Sequence, residues 1–544
     1  MRFFTTEGPV DCARHYCLPP LERLDLGEVL LLIEQQKYFL LHAPRQTGKT
    51  SCLLALADYL NREGRYRAVY ANLEVAQAAR ENVMMGMTAV VEQIARGARD
   101  QIGDRQATAL AQEIIENSSG TTMVEEFLTR WCDGSTSQTV LLLDEVDALV
   151  GDTLIALLRQ LRAGYPKRPA LFPQTVILCG VRDLQDYRIQ SSSEKAVITG
   201  GSAFNIKAKS LRLGDFNRNE TETLLFEHTH ETGQVFTSEA LDLVWELSAG
   251  QPWLVNALAY GACFELKNGS DRTQPITHEQ IQVAKERLIL DRVTHLDQLA
   301  AKLKEPRVRR VVSAILVGDT QPTDLPDDDV QYVLDLGLLR RTRQLEIANP
   351  IYREVIPRQL TWTTQMTITH EAAWYIRPDG RLDLPKLLAA FQQFFRENSE
   401  IWLERFDYKE AGPHLLMQAF LQRIVNGGGR VEREYGLGRR RTDLLVVWFP
   451  SAQGVGNRES GIGTDRPLSR LPAQRGVIEL KVLRKGLDAT LAEGLAQTWE
   501  YADRCGADEA HLVIFDRRPE RTWDERIWQR SEQHNELAIT VWGM

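Results

Sequence analysis

The chain has 544 residues, more than a single hydrophobic core organises, and its length predicts about three folded units. Hydrophobic residues make up 43% and charged residues 26%, ordinary values for soluble globular proteins that exclude general disorder and a fibrous class. The net charge of −9 excludes a global attraction to nucleic acid, so any DNA or RNA partner must be met by local basic surface.

From the N-terminus, short apolar runs alternate with longer amphipathic stretches: YFLLHA, SCLLALADYLNREG, YRAVYANLE, TVLLLDEVD, TLIALLRQLRAG and TVILCGV. Strands alternating with helices predict a parallel sheet covered on both faces, here assigned to residues 1–265 of an α/β multidomain chain. The stretches SEALDLVWELSAGQPWLVNALAYGACFELKNG and HEQIQVAKERLILDRVTHLDQLAAKLKE predict a helical subdomain. From Arg307 to Leu360, two helix-like stretches precede LLRRTRQLEIANPIYREVIP, whose strand-like pieces around a turn predict a winged helix. Residues 266–360 therefore read as a helical and winged-helix region, and 361–383, where apolar periodicity lapses, as a linker.

The last unit, 384–544, opens with the helices LPKLLAAFQQFFRENSEIW and AGPHLLMQAFLQRIVNGG. The strands GRVEREYG, RTDLLVVWF, RGVIELKV and HLVIFD follow. Residues 450–474, rich in Gly, Ser, Arg and Pro, predict a mobile loop between two of them. No apolar run approaches the roughly 18 residues of a spanning helix, and the start lacks the apolar region of a secretory signal, so a cytoplasmic protein without membrane contact is expected. Seven scattered cysteines without a CxxC pair predict buried free thiols instead of a disulfide framework or a zinc site.

The strand YFLLHA runs into Ala43-Pro44-Arg45-Gln46-Thr47-Gly48-Lys49-Thr50, and a helix follows from Ser51. Phosphates need backbone N–H groups converging on one concavity, a helix N-terminus behind them, and a lysine that spans the β- and γ-phosphates. Lys49 fits that role and the Thr50 hydroxyl suits Mg²⁺. Ala43 stands where the pattern has its first glycine, which is tolerable at negative φ. Downstream, Val140 to Leu143 end in Asp144-Glu145, where the first carboxylate is placed to hold magnesium and the second to act as general base on water.

These motifs, with VILCGVRD and AGQPWLVNAL, resemble the AAA-like P-loop ATPases of prokaryotes related to the STAND and archaeal-type groups, over roughly Leu26 to Leu360. The resemblance implies ATP as ligand. It also implies a GxP element at Gly250-Gln251-Pro252 that meets the nucleotide from the helical side, although the same residues read as a helix-interrupting turn. A sensor is expected at the end of the strand beside Asp144, where TVILCG offers only Thr175 early in the strand and Arg182 just past its end; Arg182 is the candidate, facing either the γ-phosphate or solvent. No arginine finger is identifiable, so a homo-oligomer or another protein partner stays open.

In RTDLLVVWF the carboxylate Asp443 opens a strand, and in RGVIELKV the residues Glu479 and Lys481 are two apart on the next. Strand alternation puts Glu479 and Lys481 on one face. Two carboxylates can hold Mg²⁺, or Mn²⁺, against a phosphodiester, while the lysine positions water and offsets charge developing on phosphorus. Asp443 followed by Glu479-x-Lys481 resembles the PD-(D/E)xK phosphodiesterase superfamily, over roughly Leu384 to Trp542 and with Thr442 in place of the proline. That likeness implies a restriction-endonuclease-like α/β fold. It further implies that Gln497 and Tyr501 border the site as in RecB-like members, and that Glu410 adds a metal ligand, unless Glu410 only complements a helix N-terminus.

The combined reading is an ATP-binding and hydrolysing chain coupled to a metal-dependent nucleic-acid phosphodiesterase, with defence against foreign nucleic acid as the setting this pairing suggests. The alternative is an ATP-switched signalling or nucleic-acid-binding protein whose nuclease-like module is not catalytic.

Overall fold

The computed structural model describes residues 1–182, 189–190, 197–198, 208–290, 294–316, 325–360, 375–405, 416–418, 420–421, 429–437, 440–450, 472–483, 486–516, 518 and 520–544. The chain divides into two compact units. One comprises Met1–Val293, Pro326–Arg340 and Ala348–Pro350; the other comprises Thr294–Leu325, Arg341–Ile347 and Ile351–Met544.

In the first unit, β1 (Phe39–His42), β2 (Tyr66–Asn72), β3 (Gln138–Asp144), β4 (Thr175–Gly180) and β5 (Lys209–Arg212) form one sheet in the order β2-β3-β4-β1-β5. Every pairing in it is parallel. Its central strands are apolar at successive residues because both faces are covered. Leu40, Val69, Leu141, Leu143 and Leu178 pack under the helices Val83–Ile102, Met123–Cys132 and Asp152–Gly164. Phe39, Leu41, Ala68, Leu142 and Cys179 pack under Leu26–Glu34 and Lys49–Glu63 on the opposite side. This parallel sheet with helices on both faces is the P-loop NTPase arrangement. The C-terminal ends of β1, β3 and β4 meet along one edge, where open parallel sheets place their ligands.

The helical stretches beyond the sheet resolve into Arg218–Thr232, Ser238–Ser248, Pro252–Tyr260 and His278–Leu290. The segment expected to be a winged helix contains the helices Pro306–Leu316 and Asp327–Asp335, short strands Leu339–Arg341 and Leu345–Ile347, and the helix Pro350–Leu360.

One expectation is corrected. Cys12 and Cys17 form a disulfide with Cα atoms 5.5 Å apart, while Cys52, Cys132, Cys179, Cys263 and Cys505 are free and buried. The arm that carries the pair folds back on itself, with Phe3 bridged to His15 and the His15 N–H donating to the Asp11 carbonyl, and this brings the two sulfurs together. A spacing of five carries no such signal in sequence.

In the second unit, β6 (Gly429–Leu437), β7 (Arg440–Trp448), β8 (Gln474–Val482), β9 (Glu509–Phe515), β10 (Trp528–His534) and β11 (Leu537–Gly543) form a mixed sheet ordered β6-β7-β8-β9-β11-β10. The last two strands extend the sheet beyond the four expected from sequence. The helix Leu487–Cys505 covers one face, with Leu495 and Ala502 packed on Ala510, Leu512 and Ile514. Gly494 lets it approach, since a Cβ there would lie 2.7 Å from Leu512. The helix Leu384–Arg405 covers the other face, through Phe395 against Phe515 and Gln392 donating to the Trp528 and Gly543 carbonyls. Of the loop 450–474, residues 451–471 lie outside the described residues, as do 361–374 of the expected linker.

Gly97 shows how tightly the first sheet is covered. A Cβ at this position of the helix Val83–Ile102 would stand 2.5 Å from the backbone oxygen of Tyr70 on β2. Gly97→Ala should therefore lift the helix or bend the strand and cost about 1–3 kcal/mol. A lowered urea midpoint for the transition of the unit that contains Gly97 is the expected result.

Candidate nucleotide and phosphodiester sites

The loop between β1 and the helix Lys49–Glu63 contains two residues at positive φ, Gln46 at 59° and Gly48 at 91°. Its turn is closed from within: the Thr47 hydroxyl donates to the Pro44 carbonyl at 2.8 Å. Lys49, only 5% exposed, folds its ammonium over the loop and donates to the Ala43 and Pro44 carbonyls at 2.9 and 2.8 Å. Ser51 is held from outside the loop, its hydroxyl accepting the Val10 N–H at 2.9 Å. Arg45 is exposed, and Ala43 lies buried under the loop.

Asp144, fully buried at the end of β3, accepts at Oδ2 from the Thr50 hydroxyl at 2.7 Å and from the Tyr70 phenol at 3.0 Å. Its Oδ1 accepts the Glu145 N–H at 2.9 Å. Burial, and then the charge of Asp144, push the Tyr70 phenol far above its ordinary range, so Tyr70 stays a donor. Sequence reasoning missed Tyr70. The available signal was a tyrosine near the end of the strand beside β3.

Glu145 takes the left-handed conformation, at φ 54°, immediately after β3. That backbone costs energy for a residue with a side chain, and here it turns the chain out of the sheet edge into the short helical turn Val146–Ala148. Burial and then the neighbouring charge of Asp147 raise the Glu145 carboxyl above the usual glutamate range, which makes it a stronger base once deprotonated. Asp147 Oδ1 is buried without a hydrogen-bond partner, and a Cβ at Gly180 would lie 2.9 Å from it.

Arg182 follows β4 and does not stand free in solvent. It pairs with the buried Asp335 through Nε, 3.8 Å from Oδ2, and lies 4.5 Å from the centroid of the Tyr332 ring. Asp335 also accepts from Gln331 at 2.9 Å. The same segment reaches the loop at Gly337, where a Cβ would fall 2.7 Å from Pro44. Pro252 occupies the first turn of the helix Pro252–Tyr260, which Gln251 caps by accepting the Leu254 N–H at 2.6 Å.

In the second unit, Glu479 and Lys481 stand on β8 with Lys481 donating to Glu479 Oε1 at 3.0 Å. The Glu479 side chain is 4% exposed and that of Lys481 21%. They share a face with Val477, which packs against Tyr501 and Cys505 of the helix Leu487–Cys505. Tyr501 is buried among Leu445, Val447 and Val477, and Gln497, one turn earlier, has a buried Oε1 without a hydrogen-bond partner. Strands β7 and β8 pair antiparallel up to Leu444 opposite Ile478, and the residues next in that register are Asp443 and Glu479. The Asp443 side chain and all of Glu410 lie outside the described residues. Among the described residues no group of three or more His, Cys, Asp or Glu side chains is arranged to hold a metal, and no helix is long and apolar enough to cross a membrane.

Residues 33–187 match the model of the AAA domain family. That span contains β1 to β4, the loop at 43–50 and the Asp144-Glu145 pair, and it is an AAA-type P-loop ATPase domain. No curated protein matches the chain. Solved structures similar to it include a Walker-type ATPase of Pyrococcus abyssi, at 14% identity and a TM-score of 0.42, covering 65% of this chain and 99% of the other. Cdc6p of Pyrobaculum aerophilum follows at 15% and 0.35, covering 63% and 93%. The RuvB Holliday junction branch migration motor of Thermotoga maritima stands at 13% and 0.33, covering 61% and 93%. These values leave all three as distant likenesses.

The Arg182–Asp335 pair generates a stability prediction. Arg182→Met removes one cationic neighbour of Asp335, a carboxylate that is 3% exposed, at a cost of roughly 2–3 kcal/mol. Adding Asp335→Asn should recover a good part of it in urea unfolding, because the charge that needed compensation is then gone.

Proposed function

We propose that the chain is an ATP-controlled, metal-dependent nucleic-acid phosphodiesterase, in which the AAA domain binds and hydrolyses ATP and the second unit cleaves the phosphodiester. The observation that carries the first half is Asp144 held by Thr50 at 2.7 Å with Lys49 beside it over the loop carbonyls. A hydroxyl and a carboxylate are hard oxygen donors, a set that suits Mg²⁺. Thr50 and Asp144 would hold the ion, which supplies charge neutralisation at the phosphates when bound.

Lys49 has three N–H donors, and the two it gives to carbonyls are transferable to β- and γ-phosphate oxygens. The N–H groups of the loop, from Arg45 to Ser51, supply the remaining anion contacts, backed by the N-terminus of the helix Lys49–Glu63. Glu145, raised in pKa by burial and Asp147, takes the proton of the attacking water. Arg182 is the group that answers the γ-phosphate, and Pro252 closes the nucleotide from the helical side.

The second half rests on the Glu479–Lys481 contact and on the place of Asp443 next to Glu479 in register. Two carboxylates on adjacent strands suit Mg²⁺ or Mn²⁺ as hard-oxygen ligands, with Glu410 as a further ligand. Lys481 orients water and stabilises charge at phosphorus. Gln497 and Tyr501 shape the wall of the site from the helix Leu487–Cys505. Residues 307–360, read as a winged helix, offer a place for the nucleic acid itself.

Two sets of variants test the halves separately, since Lys49 and Lys481 belong to different compact units. Lys49→Ala should abolish or greatly weaken ATP binding, and Glu145→Gln should keep binding while hydrolysis drops by ~10²-fold or more. Unchanged affinity in the first variant would remove the nucleotide assignment.

Cleavage of plasmid DNA and of RNA with Mg²⁺ or Mn²⁺, with and without ATP, should be lost in Asp443→Ala and in Lys481→Ala while ATP binding persists. Cleavage that survives both substitutions rejects the site. Absence of cleavage by the unmodified chain under every condition makes the non-catalytic, ATP-switched reading the better one.

A further inference from the structure

Arg23 lies outside every motif, yet it contacts both sides of the nucleotide site. It ends the short helix Pro20–Arg23, which is pinned to the helix behind the phosphate loop where the Cys52 thiol meets the Pro20 carbonyl at 3.3 Å. One end of its guanidinium donates to the Thr47 carbonyl in the phosphate loop. The other end donates to the Gly214 carbonyl at 2.6 Å, in the segment that follows β5. The flat guanidinium lies 4.6 Å from the centroid of the Phe216 ring. Phe216 in turn donates its N–H to the Gly250 carbonyl at 2.8 Å, at the turn that opens the helix Pro252–Tyr260.

We propose that Arg23 is a positioning residue that couples the phosphate loop to the Gly250-Gln251-Pro252 turn, so that occupation of the nucleotide site is felt by the helices on either side of that turn. This rests on the reading of the loop as an ATP site.

The first step is geometric. A peptide unit is planar, with its C=O and N–H pointing in opposite directions. Holding the Thr47 carbonyl therefore fixes the direction of the Gly48 N–H on the other side of the same peptide plane, the direction in which the loop presents its donors to an anion. Arg23 lies against Gly48 itself: a Cβ there, at φ 91°, would stand 2.7 Å from Arg23 Nη1 and displace the guanidinium. A phosphate drawing on the Gly48 N–H pulls on the peptide that Arg23 holds.

The second step is packing. At Gly250, φ 80°, a Cβ would lie 1.9 Å from the Phe216 carbonyl oxygen, so turn and segment are in backbone contact with no slack between them. A shift of Arg23 displaces Gly214 and the Phe216 ring together, and Phe216 carries Gly250 with it. Only a planar cation with two donors at its tip makes both carbonyl bonds and the ring contact at once, and a lysine does not replace it.

The helix ends supply reporters. Trp253 follows Pro252 in the first turn of the helix and donates its indole N–H to the Thr6 carbonyl at 2.9 Å. A Cβ at Gly250 would lie 3.0 Å from the Trp245 ring. The full chain labelled with 5-fluorotryptophan, with these two ¹⁹F signals assigned through Trp245→Phe and Trp253→Phe, should show one or both moving when MgADP or a non-hydrolysable MgATP analogue is added.

Arg23→Lys should weaken binding of a fluorescent ADP by about 10-fold, as loss of a charge-assisted contact, and at saturating nucleotide the tryptophan signals should stay at their nucleotide-free positions. Phe216→Leu, which leaves both Arg23 hydrogen bonds in place, should bind the fluorescent ADP within about 3-fold of the unmodified chain and also lose the signal movement. If both variants bind nucleotide and show the full movement, or if the saturated unmodified chain shows none, the coupling is refuted while the ATP site stands. If the unmodified chain fails to bind the fluorescent ADP, the ATP site and the coupling fall together.

Discussion

A fully buried carboxylate at the edge of a parallel sheet is the constraint from which the nucleotide site follows. Removing an ionised Asp144 from water is expensive unless its lone pairs are used, and three donors use them: the Thr50 and Tyr70 hydroxyls and the N–H of Glu145. Each donor fixes a different part of the structure. Thr50 ties the start of the helix Lys49–Glu63 to β3, Tyr70 ties β2 to the same point, and the Glu145 N–H requires the chain to turn sharply out of the strand. The left-handed backbone of Glu145 is what that turn demands. The residue whose carboxyl is raised by burial is thereby set next to the one whose oxygens are hydrogen-bonded.

Around that point the first unit uses backbone carbonyls as partners for cations. Lys49 rests on two carbonyls of its own loop, and Arg23 holds one more from that loop and another after β5. Neutral oxygens hold a cation without cancelling its charge, so the ammonium of Lys49 stays available to an anion. Arg182 is held differently, by the carboxylate of Asp335 and the face of Tyr332, and a ligand that engages it must compete with a formal charge. The two modes separate a group that is ready from one that is restrained.

The second unit meets a related problem with a different solution. Glu479 is nearly as buried as Asp144, and its companion is a lysine two residues along the same strand. The alternation of a strand guarantees that the two share a face. The helix Leu487–Cys505, brought close by Gly494, closes over that face and limits the water that reaches it. A buried carboxylate with a partly exposed lysine as its partner is costly to maintain.

The amino-acid sequence alone determined four of the five strands of the first sheet, since runs such as VLLL are apolar at every position only where both faces are buried, and it determined the phosphate loop, since its chemistry depends on consecutive residues; β5, whose residues are KSLR, has no such run. It also placed Glu479 and Lys481 together, because a spacing of two on a strand is a local property. Tertiary structure decided what distant segments contribute. Tyr70 reaches Asp144, Asp335 restrains Arg182, Arg23 links the loop to Gly214 and Phe216, and Cys12 meets Cys17 because the N-terminal arm folds back at Phe3 and His15. None of these pairs has a periodic or motif signature. They exist because β2 lies beside β3, because a helix far along the chain packs against the end of β4, and because side chains meet through space and not along the chain.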